Sequence, residues 1–174
     1  DEYQRTRGAA ERAARAEVER LEQDLAETAT ALARREDPII GTLLQDLVKD
    51  GVALPPEARR RLREQAGPGM AGRGIDVLTV VGPDDQILAA PHNRGVVGDP
   101  APALRALAAS AKVVYREEKI MGARAMQTVL VAETARIAKD GPYTVVVAVG
   151  RAIDARLVTA VRRAGQIDTR IVAA

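Results

Sequence analysis

Cysteine, phenylalanine and tryptophan are absent from this chain, and histidine and serine occur once each, as His92 and Ser110. Without cysteine there can be no disulfide framework, no thiolate metal site and no cysteine nucleophile. A single imidazole excludes a two-histidine metal site or facial triad. A Ser-His-Asp arrangement would have to recruit Ser110, which stands in no G-x-S-x-G context. The glycines at 67, 69, 72 and 74 form neither G-x-G-x-x-G between a strand and a helix nor G-K-[ST], so nucleotide binding has no support. The inventory assigns no catalytic residue, no metal ligand and no cofactor.

Long apolar runs are missing as well. No stretch approaches the roughly 18 apolar residues needed to span a bilayer, and no signal peptide opens the chain. The sequence starts inside a helical pattern and stops on Ile171-Val172-Ala173-Ala174, which reads as a piece cut from something larger. Tyr3, Tyr115 and Tyr143 are the only aromatics, so Ala, Val, Leu and Ile must fill the core. Basic residues outnumber acidic ones only by 26 to 24 and are spread along the chain, a poor case for nucleic acid as partner. A length of 174 residues suits one globular unit with an appended helical element.

What is present begins with a helix. Residues 2–36 lack proline, contain no glycine after Gly8, and are rich in Ala, Glu and Arg. Val18, Leu21, Leu25, Thr28 and Leu32 recur at spacings of three and four, the seam of a heptad. The stripe can either pack on the helix's own domain or pair with a second copy. Asp37-Pro38 supplies an N-cap and a proline at the first helical position of a second helix carrying Ile39, Ile40, Leu43, Leu44 and Leu47 to a stop at Gly51. Pro55-Pro56 starts a third, predicted to run through Leu62 and end before Gly67-Pro68-Gly69. Its basic residues Arg59, Arg60, Arg61 and Arg63 read as a solvated face, with phosphate contact as the alternative.

From residue 75 the pattern changes to strands. Ile75 to Val81 and Gln86 to Ala90 flank a turn of Gly, Pro and Asp and predict a hairpin, expected at the centre of the sheet. A loop of Pro91, Gly95, Gly98 and Pro100 leads to a short helix over Pro102 to Ser110. Three more strands are predicted at Lys112 to Lys119, Ala125 to about Ala135, and Tyr143 to Val149, followed by a helix from Asp154 to Arg163 and an apolar tail at Ile167 to Val172. This order predicts an α+β fold, an antiparallel sheet with helices on one side and one end. Adjacent Asp84-Asp85 and Glu117-Glu118 read as solvated charges, since neighbours in a strand point to opposite faces.

The polar residues that strand ends would gather are His92, Asn93 and Arg94 after the hairpin, with Tyr115, Arg116, Lys119 and Arg124 on the strands that follow. Donors of this kind suit a small anionic ligand such as a carboxylate. The plainer alternative has His92 capping the hairpin and the arginines facing water. His92→Ala is expected to leave the fold intact.

The segments "EDPII", "GIDVLTVVGPDDQILAAPHNRG", "GDPAPAL" and "YTVVVAVGRAIDARLVTAVRRAGQIDTRIV" resemble the extracytoplasmic sensor regions of bacterial transmembrane histidine kinases. The resemblance covers nearly the whole chain, through turns and apolar runs rather than catalytic signatures. It implies a PAS-like or single-Cache-like sheet of about five antiparallel strands with flanking helices. Residues 1–36 would be a membrane-proximal helix and residues 37–174 the sensor domain. It further implies a periplasmic location, a homodimer, transmembrane helices outside this segment, and a kinase elsewhere in the protein, so that this part is not itself an enzyme. A chemoreceptor output and a cytosolic roadblock-like regulator of small GTPases are the alternatives. Asn93 follows the loop histidine where such sensors often carry an aromatic, which disfavours a ring-stacking ligand.

Overall fold

The computed structural model describes residues 2–153, and Thr159 beyond them. The helix predicted from Asp154 and the tail after Gly165 lie outside the described residues. In chain order the elements are α1 (Glu2–Leu32), α2 (Pro38–Asp50), α3 (Pro56–Gly72), β1 (Val77–Val81), β2 (Ile87–Ala89), a 3-10 turn (Arg94–Val96), α4 (Pro102–Ser110), β3 (Val114–Met121), β4 (Met126–Asp140) and β5 (Tyr143–Ala152). The α+β class and the five antiparallel strands agree with the sequence reading.

Local chemistry accounts for most boundaries. The Asp37 side chain accepts from the backbone N–H groups of Ile39 and Ile40, and Pro38 follows it at the first helical position. In the β1–β2 turn, Gly82 N–H donates to the carbonyl of Gln86 and Asp85 N–H to that of Gly82, with Asp85 at a left-handed φ of 62°. Arg105 of α4 then clasps this turn, pairing with the Asp85 carboxylate and donating to the Gly82 carbonyl at 2.8 Å and to Thr144 Oγ1 at 3.2 Å.

One boundary differs from expectation. Helix α3 continues through Pro68 to Gly72. Proline removes one backbone donor, but tertiary packing outweighs that loss: Ala66 is fully buried, and a Cβ at Gly69 would stand 2.3 Å from Ile39 Cδ1, so α2 sits directly on this turn. Arg73, at the end of the helix, returns to the Gly69 carbonyl and pairs with Asp37.

The sheet order is β2-β1-β5-β4-β3. The hairpin is therefore one margin of the sheet, and β5, the last of the described strands, takes the centre. Sequence gives no local sign of this, because the order is decided by where β5 returns. Helices α1, α2 and α3 cover one face, with Leu78, Val80, Val145, Val147 and Val149 beneath them. The other face carries Val81, Val146 and Ala148 under Leu104 and Ala108 of α4. Helices thus lie on both faces rather than on one side and one end.

The apolar stripe of α1 is occupied. Leu21, Leu25, Ala29 and Leu32 are buried in the core of the same chain, on the face formed with β4 and β5. Thr28 is displaced from the stripe by Ala29, and these residues are not free to pair with a second copy. The helix is fixed at its flanks as well: Tyr115 donates to Glu22 Oε1 at 2.7 Å, and Arg35 lies 3.2 Å from Asp140. Among the described residues, no helix is long and apolar enough to cross a membrane.

Candidate functional site

The β3–β4 ladder outruns the rest of the sheet. Among the described residues, β5 pairs as far as Val131↔Ala152, with Ile153 N–H still donating to the Leu130 carbonyl at 2.8 Å, so Met126 to Val129 pair with β3 alone. This free end meets the segment that follows β2: Met121 N–H donates to the His92 carbonyl at 2.8 Å. Elements at opposite margins of the sheet order are thereby joined, and residues 90–97 run across the α4-side face between them.

His92 is the hinge pin of that crossing. It is 3 % exposed, and its Nδ1 lies 3.1 Å from the Leu78 carbonyl oxygen and 3.4 Å from the Leu78 nitrogen. The β1–β2 ladder stops at Val80↔Ala89, and beyond it Nδ1 serves one Leu78 backbone group at a time, accepting from the N–H or donating to the carbonyl according to its tautomer. Its other nitrogen, Nε2, is 3.8 Å from Glu118 Oε1 of β3.

Glu118 is therefore more than a solvated charge. Strand parity separates it from exposed Glu117, and it shares Arg116 with a second carboxylate, Glu133 of β4. Arg116 Nη2 donates to Glu133 Oε1 at 3.0 Å, while Nε and Oε2, 2.6 Å apart, form a charge contact without hydrogen-bond alignment. The closeness of His92 Nε2 and the charge of Arg116 hold Glu118 below the usual carboxylate range despite partial burial. Glu133 goes the other way: burial, reinforced by the charge of Glu118, pushes its carboxyl up to about 7 against the pull of Arg116. A polar cluster of His92, Arg116, Glu118 and Glu133 thus underlies the crossing segment.

Two clefts open on either side of this segment. One, of about 470 Å³, lies between Asn93, Arg94 and Gly95 and the methionine pair Met121 and Met126 at the end of the β3–β4 hairpin. The other, of about 270 Å³, lies between the segment and α3. Arg94 lines both.

The predicted site residues separate accordingly. His92, Asn93 and Arg94 are brought together, with His92 beneath and the other two at a cleft. Arg124 is exposed in the turn joining Met121 to Met126. Tyr115 stands on the opposite face of the sheet against α1, where burial and the hydrogen bond to Glu22 raise its hydroxyl above the ordinary range. Lys119 is exposed on that same parity. Glu133 escaped the sequence reading, although the signal was there: in Val129, Val131, Glu133, Ala135 a lone carboxylate interrupts the apolar residues of one strand face. Among the described residues, no group of three or more His, Asp or Glu is placed to hold a metal ion.

The long first helix and the antiparallel five-stranded sheet flanked by helices form a fold that this chain shares with solved structures of bacterial proteins. In particular, the chain is similar to three of them. It overlays on the periplasmic domain of Vibrio cholerae LuxQ with a TM-score of 0.54 and 13 % identity, covering 93 % of this chain and 70 % of that one. For the Escherichia coli DcuS sensor domain the TM-score is 0.52 and the identity 15 %, covering 83 % and 96 %. For the sensor domain of the V. cholerae histidine kinase DctB the TM-score is 0.54 and the identity 12 %, covering 95 % of this chain and 58 % of that one. At such identities the likeness is one of fold. No protein-family profile matches the chain, and no curated protein matches it by sequence.

Proposed function

We propose that this chain is the periplasmic signal-sensing domain of a bacterial two-component sensor histidine kinase. The observation that carries the reading is a fold shared over 96 % of the DcuS sensor domain and over 95 % of this chain with the DctB sensor domain. The rest of that reading follows the sequence: a membrane-proximal helix over residues 1–36, a sensor domain over residues 37–174, a homodimer, and membrane helices and a kinase elsewhere in the protein. With the stripe from Leu21 to Leu32 buried in its own domain, a dimer contact through α1 would use other faces or earlier turns of that helix.

The ligand of this reading is a small anion held at the cleft beside the hairpin end. Asn93 and Arg94 would bind it, with Arg124 at the rim. His92 would position the segment without touching the ligand. Occupation would shift a balance between two placements of the crossing segment, in proportion to the difference in affinity. The shift passes to α1 through β3, whose Glu118 faces the segment and whose Tyr115 faces the helix.

A thermal-shift screen against small carboxylates, amino acids and inorganic anions tests this, since a ligand of the folded state raises the melting temperature by mass action. The expected result is a saturable shift that Arg94→Ala abolishes and Tyr115→Phe leaves in place. No shift with any anion would overturn the small-ligand reading.

A further inference from the structure

We propose a second anion site, in the groove between α3 and the segment after β2, that takes a small organic dianion with an apolar body. The inference stands apart from the sensing reading, because it rests on how the arginines of α3 are balanced.

Those arginines fall into two groups. Arg61 pairs with Asp46 of α2 and Arg73 with Asp37, so both are consumed in holding helices together. On the groove side the balance fails. Arg60 has only Glu64, at 3.8 Å and with both side chains largely in solvent. Arg63 folds its Nε back onto the Arg59 carbonyl at 3.1 Å, and among the described residues neither its guanidinium nor that of Arg94 has an ion-pair partner. The groove of about 270 Å³ is lined by Arg60, Arg63 and Arg94 with Glu64 as the sole carboxylate, which leaves an excess of two positive charges.

The floor of the groove includes Ala90 and Pro91, small apolar residues that leave room for a hydrocarbon body beside the guanidinium groups. Guanidinium forks suit carboxylate and phosphate oxygens alike. Doubly negative charge would match the excess, and a dicarboxylate or a phosphate monoester meets the description. The arginines converge from two elements, α3 and the 3-10 turn at Arg94, which sets this groove apart from a helix face open to water.

Isothermal titration of the chain with glutarate and, separately, with phenyl phosphate tests the proposal and tells the two chemistries apart. Benzyl alcohol serves as the uncharged control. At least one dianion should bind saturably and weaken as salt is raised, while benzyl alcohol gives no heat. Arg63→Ala and Arg94→Ala should each weaken that binding about tenfold or more and Arg63→Lys should weaken it less, while in Asn93→Ala, which removes a donor of the other cleft only, a saturable component that Arg63→Ala abolishes should persist. Binding lost in Asn93→Ala and kept in Arg63→Ala would place the anion in the hairpin cleft, overturning this site while preserving the sensing reading. Absence of binding by both dianions would also overturn it.

Discussion

Arg116 Nε stands 2.6 Å from Oε2 of Glu133, a carboxylate only 1 % exposed, and the same guanidinium also serves Glu118. One cation cannot fully compensate two carboxylates in a dry setting, and the cost falls on the more deeply buried of them.

That imbalance predicts the pH dependence of stability. Glu133 ionises at about 7 in the folded chain against an ordinary 4.5, so between these values the folded chain keeps a proton that the unfolded chain has released. Its contribution to stability is fully present below the lower value and is lost as pH rises through the upper one. Glu118, shifted downwards, contributes oppositely and loses its share only under more acid conditions. Urea unfolding should show the chain more stable at pH 5.5 than at pH 8, by about 2 kcal/mol, and Glu133→Gln should flatten the difference. A wild-type stability that climbs with pH over this range would contradict the assignment.

His92→Ala should cost about 1–3 kcal/mol, because it removes the side-chain partner of a buried Leu78 backbone group. The fold itself should stay intact, as expected from sequence, at a lower melting temperature. Thermal melts of the two proteins decide it, and coincident curves would mean that the crossing segment does not depend on the imidazole.

Tyr115→Phe removes the donor to Glu22 on a part-exposed surface and should cost about 0.5–1.5 kcal/mol. The effect should be local. Amide exchange in α1 between Leu21 and Leu32 should quicken, with anion binding across the sheet unaffected. Uniformly faster exchange throughout the chain would show that the contact does more than fasten the helix.

Gly150→Ala tests the packing of the central strand. An added Cβ would lie 2.6 Å from Val131 Cγ1 and 3.1 Å from Val77 Cβ, with strands on both sides and little room to yield. A loss of about 1–3 kcal/mol in denaturant titration is expected. A neutral result would require β1 and β4 to part slightly, visible as shifted resonances of Val77 and Val131.

Features written in a few adjacent residues were readable from sequence. Asp37-Pro38, the turn Gly82 to Gln86 and Pro102 each specify their structure by local hydrogen bonding or a preset φ, and the helices and hairpin appear where these residues put them. Features settled by distant partners were not. Pro68 signals a stop, and the burial of Ala66 with the contact between Gly69 and Ile39 carries α3 past it. The strand predicted to end near Ala135 runs on through Arg136 and Lys139, and its ladder with β5 continues to Asp140↔Tyr143. For the site, residues 92–94 were found because a chain leaving a strand end is visible in sequence. Tyr115 was grouped with them because sequence did not show which face its parity selects. Glu133 was missed although period-two spacing marks its place.

The burial of α1 is one-sided along its length. Leu21, Leu25, Ala29 and Leu32 grip its final turns, and no described side chain before Leu21 is buried. The remaining turns, from Glu2 to Arg20, extend about 28 Å at 1.5 Å per residue. Mechanically this is a beam clamped at one end. A tilt of only ~5° at the clamp would swing the far end by roughly 2.5 Å, so a displacement too small to disturb the packing of the sheet arrives magnified at the start of the helix.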